Sequence, residues 1–257
     1  YDKVIGDFTK TLKGISFKET NAYINAVIGL IEEFFWSVPS VTISETNDIS
    51  LSDHMSSTAA IASALYKYHE NNGTLIDEKS IREEETEKFM LVTGDISGIQ
   101  DFIFDINTVN AKGVSRELRG RSALTTLFGG LMAQKILSAL GLFQVSKIID
   151  AGGKFVILAP NNPDAEQKLK AAVEEIIAEM VSFFGGSLIP VFDSSVKFCS
   201  SDFSDMSNII RRMEKSLAAA KSRKLSVGNY SNLYRLEAHY QKYLNAGICE
   251  SCKIYPA

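Results

Sequence analysis

The chain has 257 residues, of which 45% are hydrophobic and 23% are charged, and its formal net charge is −4 with a pI near 5.5. This composition is typical of a globular protein with one or two cored domains, and it argues against non-specific nucleic-acid binding over the whole surface. Three cysteines at this length argue against a disulfide scaffold and favour a reducing cytoplasm. The sequence contains no run of eighteen apolar residues, so we expect no membrane span. Because the chain begins at Tyr1, we expect it to be a segment of a longer protein.

Residues 1–70 have a helical pattern. Apolar side chains recur at three- and four-residue spacing from Ile24 to Phe35, and the break at Val38-Pro39-Ser40 is expected to end that helix. An alanine-rich segment, Thr58 to Tyr68, predicts a second helix that packs closely against a neighbour. We therefore predict an α-helical subdomain over 1–70, followed by a charged linker over 71–88.

Residues 89–200 predict a second domain with a readable order of elements. We expect strands at 89–94, 145–149, 154–159 and 187–198, and helices near 98–105, 115–140 and 163–184. This order is βαββαβ, the ferredoxin-like plan on which the palm domains of polymerases and nucleotide cyclases are built. The fold class is thus α+β, a ferredoxin-like palm flanked by the N-terminal helices and by a helical region over 201–257.

The turn after the first of these strands is the strongest candidate for a site. We predict that the strand stops at Asp95, beside the small residues Ser97 and Gly98, and that a short amphipathic helix follows. A carboxylate at a strand end faces the mouth of a sheet, where ligands tend to bind. The alternative is that Asp95 merely caps the helix and the glycines serve the turn.

Three stretches resemble the large subunit of type III CRISPR effector complexes, the palm protein of the Csm and Cmr assemblies. They are Gly94-Asp95-Ile96-Ser97-Gly98-Ile99-Gln100-Asp101-Phe102-Ile103, Leu118-Arg119-Gly120-Arg121-Ser122 and Ala151-Gly152-Gly153-Lys154-Phe155. The run from Asp48 to His54, and the Val-Pro-Ser break before it, are closer to the Csm type.

The resemblance also concerns the N-terminal region. The run from Asp48 to Ala60 is similar to the last part of the family's HD domain, which cuts single-stranded DNA with metals held by a His-Asp pair. No His-Asp dipeptide occurs here, so residues 1–70 are expected to be a structural remnant of that domain. Asp53 and His54 are adjacent, point about 100° apart on a helix and rarely share one ion. Capping of the helix by Ser52 or Asp53 is the simpler interpretation.

Metal-dependent phosphoryl transfer on a palm needs carboxylates from the first strand and from the neighbouring hairpin turn. Asp95 supplies the first, but the hairpin turn carries Lys154 and Phe155 where acids are needed. The resemblance implies two facing palms, of which the second carries Gly-Gly-Asp-Asp and makes cyclic oligoadenylates from ATP when target RNA binds. That motif does not occur here, so the chain is expected to hold the degenerate first palm.

The resemblance implies that this palm binds one ATP with Mg²⁺ at the interface with the second palm. Ser97, Gly98 and Gln100 are then expected near the base or ribose, and Arg119, Arg121 or Lys154 near the phosphates. Gly152 and Gly153 permit close backbone approach, and Ser122 belongs to the matching Leu118–Ser122 stretch. A packing or capping role is the alternative for each residue.

Two features of residues 201–257 suggest further contacts. The most basic stretch of the chain lies on one predicted helix. This helix either has a solvated face or contacts nucleic acid or a neighbouring subunit. The basic residues concerned are Arg211, Arg212, Lys215, Lys221 and Arg223. Cys249 and Cys252 have the spacing of two Zn²⁺ ligands, and the resemblance implies a second cysteine pair beyond this chain. Expected partners are the other effector subunits and, indirectly, crRNA and target RNA.

Two other functions are compatible with the same residues. One is an autonomous cyclase or polymerase palm of the GGDEF type, against which the missing hairpin acids count. The other is a structural module that binds crRNA and neighbouring subunits without any nucleotide.

Overall fold

The computed structural model describes residues 2–41, 48–104 and 113–224. Within them the chain forms eight α-helices and four β-strands. The helices are α1 (Asp2–Gly14), α2 (Thr20–Phe35), α3 (Leu51–Asn72), α4 (Glu78–Arg82), α5 (Ile99–Phe104), α6 (Val114–Leu140), α7 (Pro163–Phe184) and α8 (Met206–Ser222). The strands are β1 (Phe89–Ser97), β2 (Lys147–Ala151), β3 (Lys154–Pro160) and β4 (Ile189–Phe198).

The four strands form one antiparallel sheet in the order β2-β3-β1-β4. With α5 and α6 between β1 and β2, and α7 between β3 and β4, this is the βαββαβ ferredoxin-like plan. The predicted α+β palm fold is confirmed. The apolar run that begins β1 is fully buried because β1 is a central strand with helices over both faces of the sheet.

The first face of the sheet is covered by α6 and α7. Met90 and Val92 of β1 point to this face, as do alternate residues of β3. They pack against buried side chains of both helices, namely Met132, Ile136, Leu137 and Leu140 of α6 and Leu169, Ile176, Met180 and Phe184 of α7.

The second face is covered by α3 and α8. Phe89 and Leu91 of β1 point to it and join one cluster with buried residues of these helices, namely Ala60, Ala64, Ile209 and Met213. The alanines of α3 let this helix lie close to the sheet, so the last helix of the predicted N-terminal subdomain packs on the palm itself. The division of the chain at 71–88 stays a prediction.

Several element boundaries differ from those predicted. β1 continues to Ser97, three residues beyond the expected end. β2 is displaced toward the turn and a short 3₁₀ helix, Gln144–Ser146, precedes it. In the N-terminal region α2 ends at Phe35, before the Val-Pro-Ser break, and α3 begins at Leu51 with Ser50 as its cap rather than Ser52 or Asp53. Ser50 takes this role because its hydroxyl accepts a hydrogen bond from the Asp53 backbone N–H at 3.0 Å.

Lys88, the last residue of the predicted linker, is almost completely buried at 1% exposure. Its ammonium donates hydrogen bonds to the carbonyl oxygens of Ser80 at 2.6 Å and Ile81 at 3.1 Å, at the end of α4, and also to that of Glu83. These carbonyls have no partners within a helix, so the lysine caps the end of α4. Burial lowers the pKa of Lys88, against the opposing effect of Glu83 and Glu84.

One helix in the described ranges, α6, is long and apolar enough to cross a membrane, although we expected none. Charged and small residues interrupt the apolar run in α6, but the mean hydropathy of an eighteen-residue window is still high enough for a membrane-spanning helix. Its buried side chains contribute to the core of the first face, and core helices meet the same criterion.

Candidate functional site

The end of β1 carries a polar strip on the second face of the sheet. Side chains alternate along a strand, so Thr93, Asp95 and Ser97 follow Leu91 on that face. Asp95 is only 8% exposed and is paired in register with Val191 of β4. The expectation that the strand stops at Asp95 was wrong: the carboxylate lies within the strand and under a helix.

Gly94 fixes how the hairpin lies beside β1. It is paired in register with Phe155, whose ring covers it on the first face. A Cβ atom at position 94 would lie 2.2 Å from the Phe155 Cζ. Because Gly94 has no side chain, the Phe155 ring can lie across β1 at this position, and β3 packs closely against β1.

The hairpin turn consists of Gly152 and Gly153 alone, because Asp150 and Ala151 belong to β2. Both glycines have positive φ angles, 59° and 106°, which residues with a Cβ rarely adopt. The turn touches α6: a Cβ on Gly129 would lie 2.9 Å from the Cα of Gly153. The turn is thereby held next to the end of β1.

Gly98 makes the link from β1 to α5. Its φ is 93°, and a Cβ there would lie 2.4 Å from the carbonyl oxygen of Ser187, just before β4. Gln100 follows on α5 with its side chain exposed. The structure therefore brings Asp95, Ser97 and Gly98 to the same end of the sheet as the hairpin turn.

The Asp95 carboxylate forms an ion pair with Lys221 of α8, with 2.6 Å between Oδ2 and Nζ. The side chain of Asp95 is 12% exposed and that of Lys221 is 42% exposed. Nearby, Ser216 of α8 donates a hydrogen bond to Asp193 of β4 at 2.6 Å. Asp193 is paired in register with Thr93, so α8 contacts both β1 and the edge strand β4 at this polar strip.

Sequence reasoning missed Asp193 and Ser216. Ser216 lies three residues after the buried Met213, on the helix face that packs on the sheet, which is the signal that could have identified it. Asp193 borders an irregularity in the pairing of β1 with β4, so simple alternation does not place it.

Lys154 lies at the start of β3 on the second face, two residues before the buried Val156. It directly precedes the Phe155–Gly94 pair and is therefore a neighbour of Asp95 across the strands. Its ammonium makes no ion pair with any described residue.

The three predicted residues of α6 lie elsewhere. Arg119 is exposed and its Nε donates to the Ser115 carbonyl at 3.2 Å. It lies ten residues before Gly129, which is about 15 Å along the axis of a helix, and Ser122 lies about 10 Å away on the same measure. Arg121 is buried: it donates to the Phe102 carbonyl and pairs with Glu117 at 2.7 Å. The guanidinium of Arg121 thus joins α5 to α6.

The basic residues of α8 do not form one uniform face. Lys221 forms an ion pair with Asp95, and Arg212 donates a hydrogen bond to the Lys197 carbonyl of β4 at 2.9 Å. Arg211 and Lys215 are exposed, and Arg223 donates to the Ala219 carbonyl at 3.4 Å. Neither a wholly solvated face nor a wholly nucleic-acid-binding face describes this helix.

A cavity of about 530 Å³ opens along the outer edge of β4, between α7 and the end of α8. Its floor is largely apolar, with Leu169, Val173 and Ile177 of α7. Its lining includes Asp193 of the polar strip but not Asp95, Gly98 or the hairpin turn, so the cavity borders the candidate site.

The model of the family described as Csm1 subunit domain B matches residues 88–239, more than half of the chain. The chain belongs to the Csm1 family. The resemblance to the type III large subunit, and to its Csm type, is thereby confirmed.

Relatives of this Csm1-family chain include a protein of Thermococcus onnurineus (strain NA1), named CRISPR system single-strand-specific deoxyribonuclease Cas10/Csm1 (subtype III-A). It is 42% identical over 157 residues, which cover 61% of this chain and 19% of that protein. A crystal structure of a Csm1–Csm4 cassette in complex with pppApA matches with a TM-score of 0.73 at 27% identity, over 91% of this chain and 32% of that one.

A Csm1–Csm4 cassette in complex with one ATP matches with a TM-score of 0.71 at 27% identity, over 93% of this chain and 32% of that one. The chain therefore spans between 19% and 32% of the length of these relatives.

The predicted zinc ligands of this Csm1-family chain, Cys249 and Cys252, lie outside the described residues. Within the described ranges no three His, Cys, Asp or Glu side chains come together as a metal site. Cys199 is buried and its thiol donates to Asp202 at 3.0 Å, and Asp53 and His54 are both exposed on the first turn of α3.

Proposed function

We propose that this chain is the first palm of a type III-A effector large subunit, which holds one ATP at the interface with a second palm and serves as a scaffold. The observation that carries the proposal is the meeting of the Asp95–Gly98 strand end with the Gly152-Gly153 turn in a chain of the Csm1 family. Relatives of the same fold were crystallised with one ATP and with pppApA, which supports a nucleotide at this palm.

Ser97, Gly98 and Gln100 are the proposed neighbours of the base and ribose, because they follow Asp95 at the open end of the sheet. The proposed phosphate contact nearest to Asp95 is Lys154, whose ammonium has no described carboxylate partner. Arg119 and Ser122 belong to the site only if the ligand extends along α6. Arg121 supports it indirectly, because its guanidinium holds α5 to α6.

The described residues do not fit a pair of Mg²⁺ ions. Such a pair of ions needs several carboxylates, whereas the hairpin carries Lys154 and Phe155. The carboxylate of Asp95 is already in an ion pair with the ammonium of Lys221. We therefore propose that any Mg²⁺ that accompanies ATP is held by the phosphates and the second palm. Zn²⁺ at Cys249 and Cys252 remains a proposal for half of a four-ligand site.

The activity of the whole protein is also a proposal for this chain. We propose that the intact protein makes cyclic oligoadenylates from ATP and cuts single-stranded DNA through its HD domain when target RNA binds. The name shared by the relatives supports the cleavage of single-stranded DNA, and the cassettes solved with cA4 and cA3 support the synthesis of cyclic oligoadenylates. The proposed partners are the other Csm subunits, with crRNA and target RNA reached indirectly, in the cytoplasm. The exposed Arg211 and Lys215 are proposed contacts for RNA or a neighbouring subunit.

The alternative is an assembly module that binds no nucleotide. The Lys221–Asp95 ion pair favours it, because α8 covers the carboxylate that faces the proposed site. A cyclase or polymerase palm acting alone lacks the hairpin carboxylates that this chemistry requires.

The test is calorimetric titration of ATP into the chain. We expect a dissociation constant in the millimolar range or better, weakened about tenfold by Lys154→Ala because one charge-assisted contact is lost. Lys168→Met is the matched control: it breaks the 2.7 Å pair with Asp164 near the start of α7, at the opposite end of the sheet. An absence of ATP binding would favour the assembly module, and equal weakening by both variants would place ATP elsewhere.

A further inference from the structure

We propose that the Lys221 ammonium takes the position that a metal ion holds on a catalytic palm, so that this half-site binds nucleotide phosphates without a divalent cation. The inference rests on the proposed ATP half-site and specifies how that site neutralises its ligand. It follows from the partner of Asp95, which is an ammonium group from α8.

On a catalytic palm the carboxylate of the first strand holds a metal ion, and that ion in turn binds phosphate oxygens. Here the carboxylate is present, on β1 and nearly buried, but it lies 2.6 Å from the Lys221 Nζ. The ammonium lies within direct hydrogen-bonding distance of the carboxylate oxygen. A cation in contact with that oxygen is therefore already part of the fold.

The position of Lys221 is set by the packing of α8. Ile209, Met213 and Leu217 are buried, and they anchor successive turns of this helix on the second face. The hydrogen bond from Ser216 to Asp193 holds the same turn of the helix as Leu217. Lys221 follows in the last turn of the helix, where the helix dipole favours a positive charge.

Lys221 also has donors left for a ligand. A lysine ammonium has three N–H donors, and the described contacts of this group consist of the single interaction with Asp95. Because the Lys221 side chain is 42% exposed, its remaining donors can reach a phosphate from solvent. A metal ion bound by a carboxylate would offer its open coordination positions in the same way.

Two neighbouring side chains agree with this assignment. Lys154 is the cross-strand neighbour of Asp95 on the same face, so a second lysine side chain starts close to the carboxylate that Lys221 pairs with. Thr93, fully buried on that face, has a hydroxyl without a hydrogen-bond partner among the described residues. Asp193, the other carboxylate of the strip, is engaged by Ser216 and Ser195.

The experiment is calorimetric titration of ATP into the chain, once with EDTA and once with Mg²⁺. The wild-type chain is compared with Lys221→Met, Lys221→Arg and the Lys168→Met control. We expect wild-type affinities that agree within about threefold in the two buffers, and a loss of about tenfold in Lys221→Met. Lys221→Arg keeps the positive charge and is expected to lose less, and Lys168→Met is expected to bind as wild type.

The outcomes separate the inference from the proposed function. Binding of ATP that requires Mg²⁺, or that is unchanged in Lys221→Met, overturns the inference and leaves the ATP half-site standing. No ATP binding in either buffer overturns both. If circular dichroism shows that Lys221→Met does not fold, the wild-type chain alone tests the inference. Equal ATP affinity with EDTA and with Mg²⁺ supports it, and binding that requires Mg²⁺ overturns it.

Discussion

The two faces of the sheet differ in how they use the same strands. Under α6 and α7 the first face is apolar along its whole length, from Met90 to Ile96 on β1. Under α3 and α8 the second face is apolar near Phe89 and becomes polar at Thr93 and Asp95. A strand with a period of two can therefore build the core with one set of side chains and a site with the other.

The two faces of the sheet are also stabilised in different ways. Apolar contacts on the first face are non-directional, and their contributions scale roughly with the area removed from water. Polar groups on the second face need particular partners, because a buried polar group without one costs free energy. Substitutions on the first face should thus change stability, and those at the polar end should change pairing and binding.

The largest effect is expected from Leu137→Ala on α6. Leu137 is fully buried on the first face, so its truncation should lower the free energy of unfolding by about 2–5 kcal/mol through lost burial and the cavity left behind. Leu127→Ala on the same helix is the control, since Leu127 is 57% exposed and should change stability by no more than about 0.5 kcal/mol. Urea unfolding measures both. Similar losses would mean that the first face does not form the core.

Gly94→Ala is expected to have the next largest effect. The new methyl group would overlap the Phe155 ring, and forcing the ring away should lower the free energy of unfolding by about 1–3 kcal/mol. Gly130→Ala provides the opposite control: Gly130 lies inside α6 with no neighbouring atom within 4 Å of a new Cβ, so alanine should stabilise by about 0.5–1 kcal/mol. Urea unfolding measures both variants. If both substitutions changed the free energy of unfolding in the same direction, the close approach of β1 and β3 would be contradicted.

At the polar end, the Asp95–Lys221 pair should show strong coupling. Lys221→Met leaves a nearly buried carboxylate without its partner and should cost about 1–2 kcal/mol, the lower part of the usual range because the lysine is half exposed. Asp95→Asn removes that charge, so the double variant should lose less than the sum of the two single variants. A double-mutant cycle in urea measures the coupling, and additive losses would show that the pair is not formed in solution.

Much of the fold was predictable because its signals are local. The helix α7 has a proline in its first turn and a glycine just after its end, and its predicted bounds are those observed. The order βαββαβ followed from apolar runs and turn residues alone. The Ser50 cap and the true end of β1 were missed because capping and sheet pairing at these positions depend on neighbours that local patterns do not specify.

The candidate site was only partly predictable. The strand end and hairpin turn came from contiguous motifs, and the structure places them together. The pairing of Asp95 with Lys221 joins residues more than a hundred positions apart, so no local pattern contains it. Arg121 is a case where sequence reasoning selected a residue that the structure uses differently. A guanidinium can bind a phosphate, but that of Arg121 is buried and contacts the Phe102 carbonyl and Glu117.

The smallest expected effect concerns His69, at the end of α3, which covers the second face. His69 is 2% exposed, its Nδ1 lies 2.7 Å from the Thr74 hydroxyl, and its pKa is lowered by burial first and then by the charge of Lys88, against the opposing effect of Asp77. Between the lowered folded-state pKa and the ordinary histidine pKa of 6.5, the unfolded chain binds more protons than the folded chain. The free energy of unfolding should therefore fall as the pH drops below 6.5.

Urea unfolding at about pH 7.5 and about pH 5.5 measures this dependence, in a window that spans the ordinary histidine pKa. The carboxyl groups of Glu70, Glu83 and Asp202 have lowered pKa values. They lose their stabilising contribution only below the ordinary pKa values of 4.5 for glutamate and 3.8 for aspartate, which lie outside this window. His69→Phe removes the titrating group and should flatten the dependence, whereas the control His54→Gln, at an exposed position, should keep it. A dependence that survives in His69→Phe would show that a group other than His69 senses the pH.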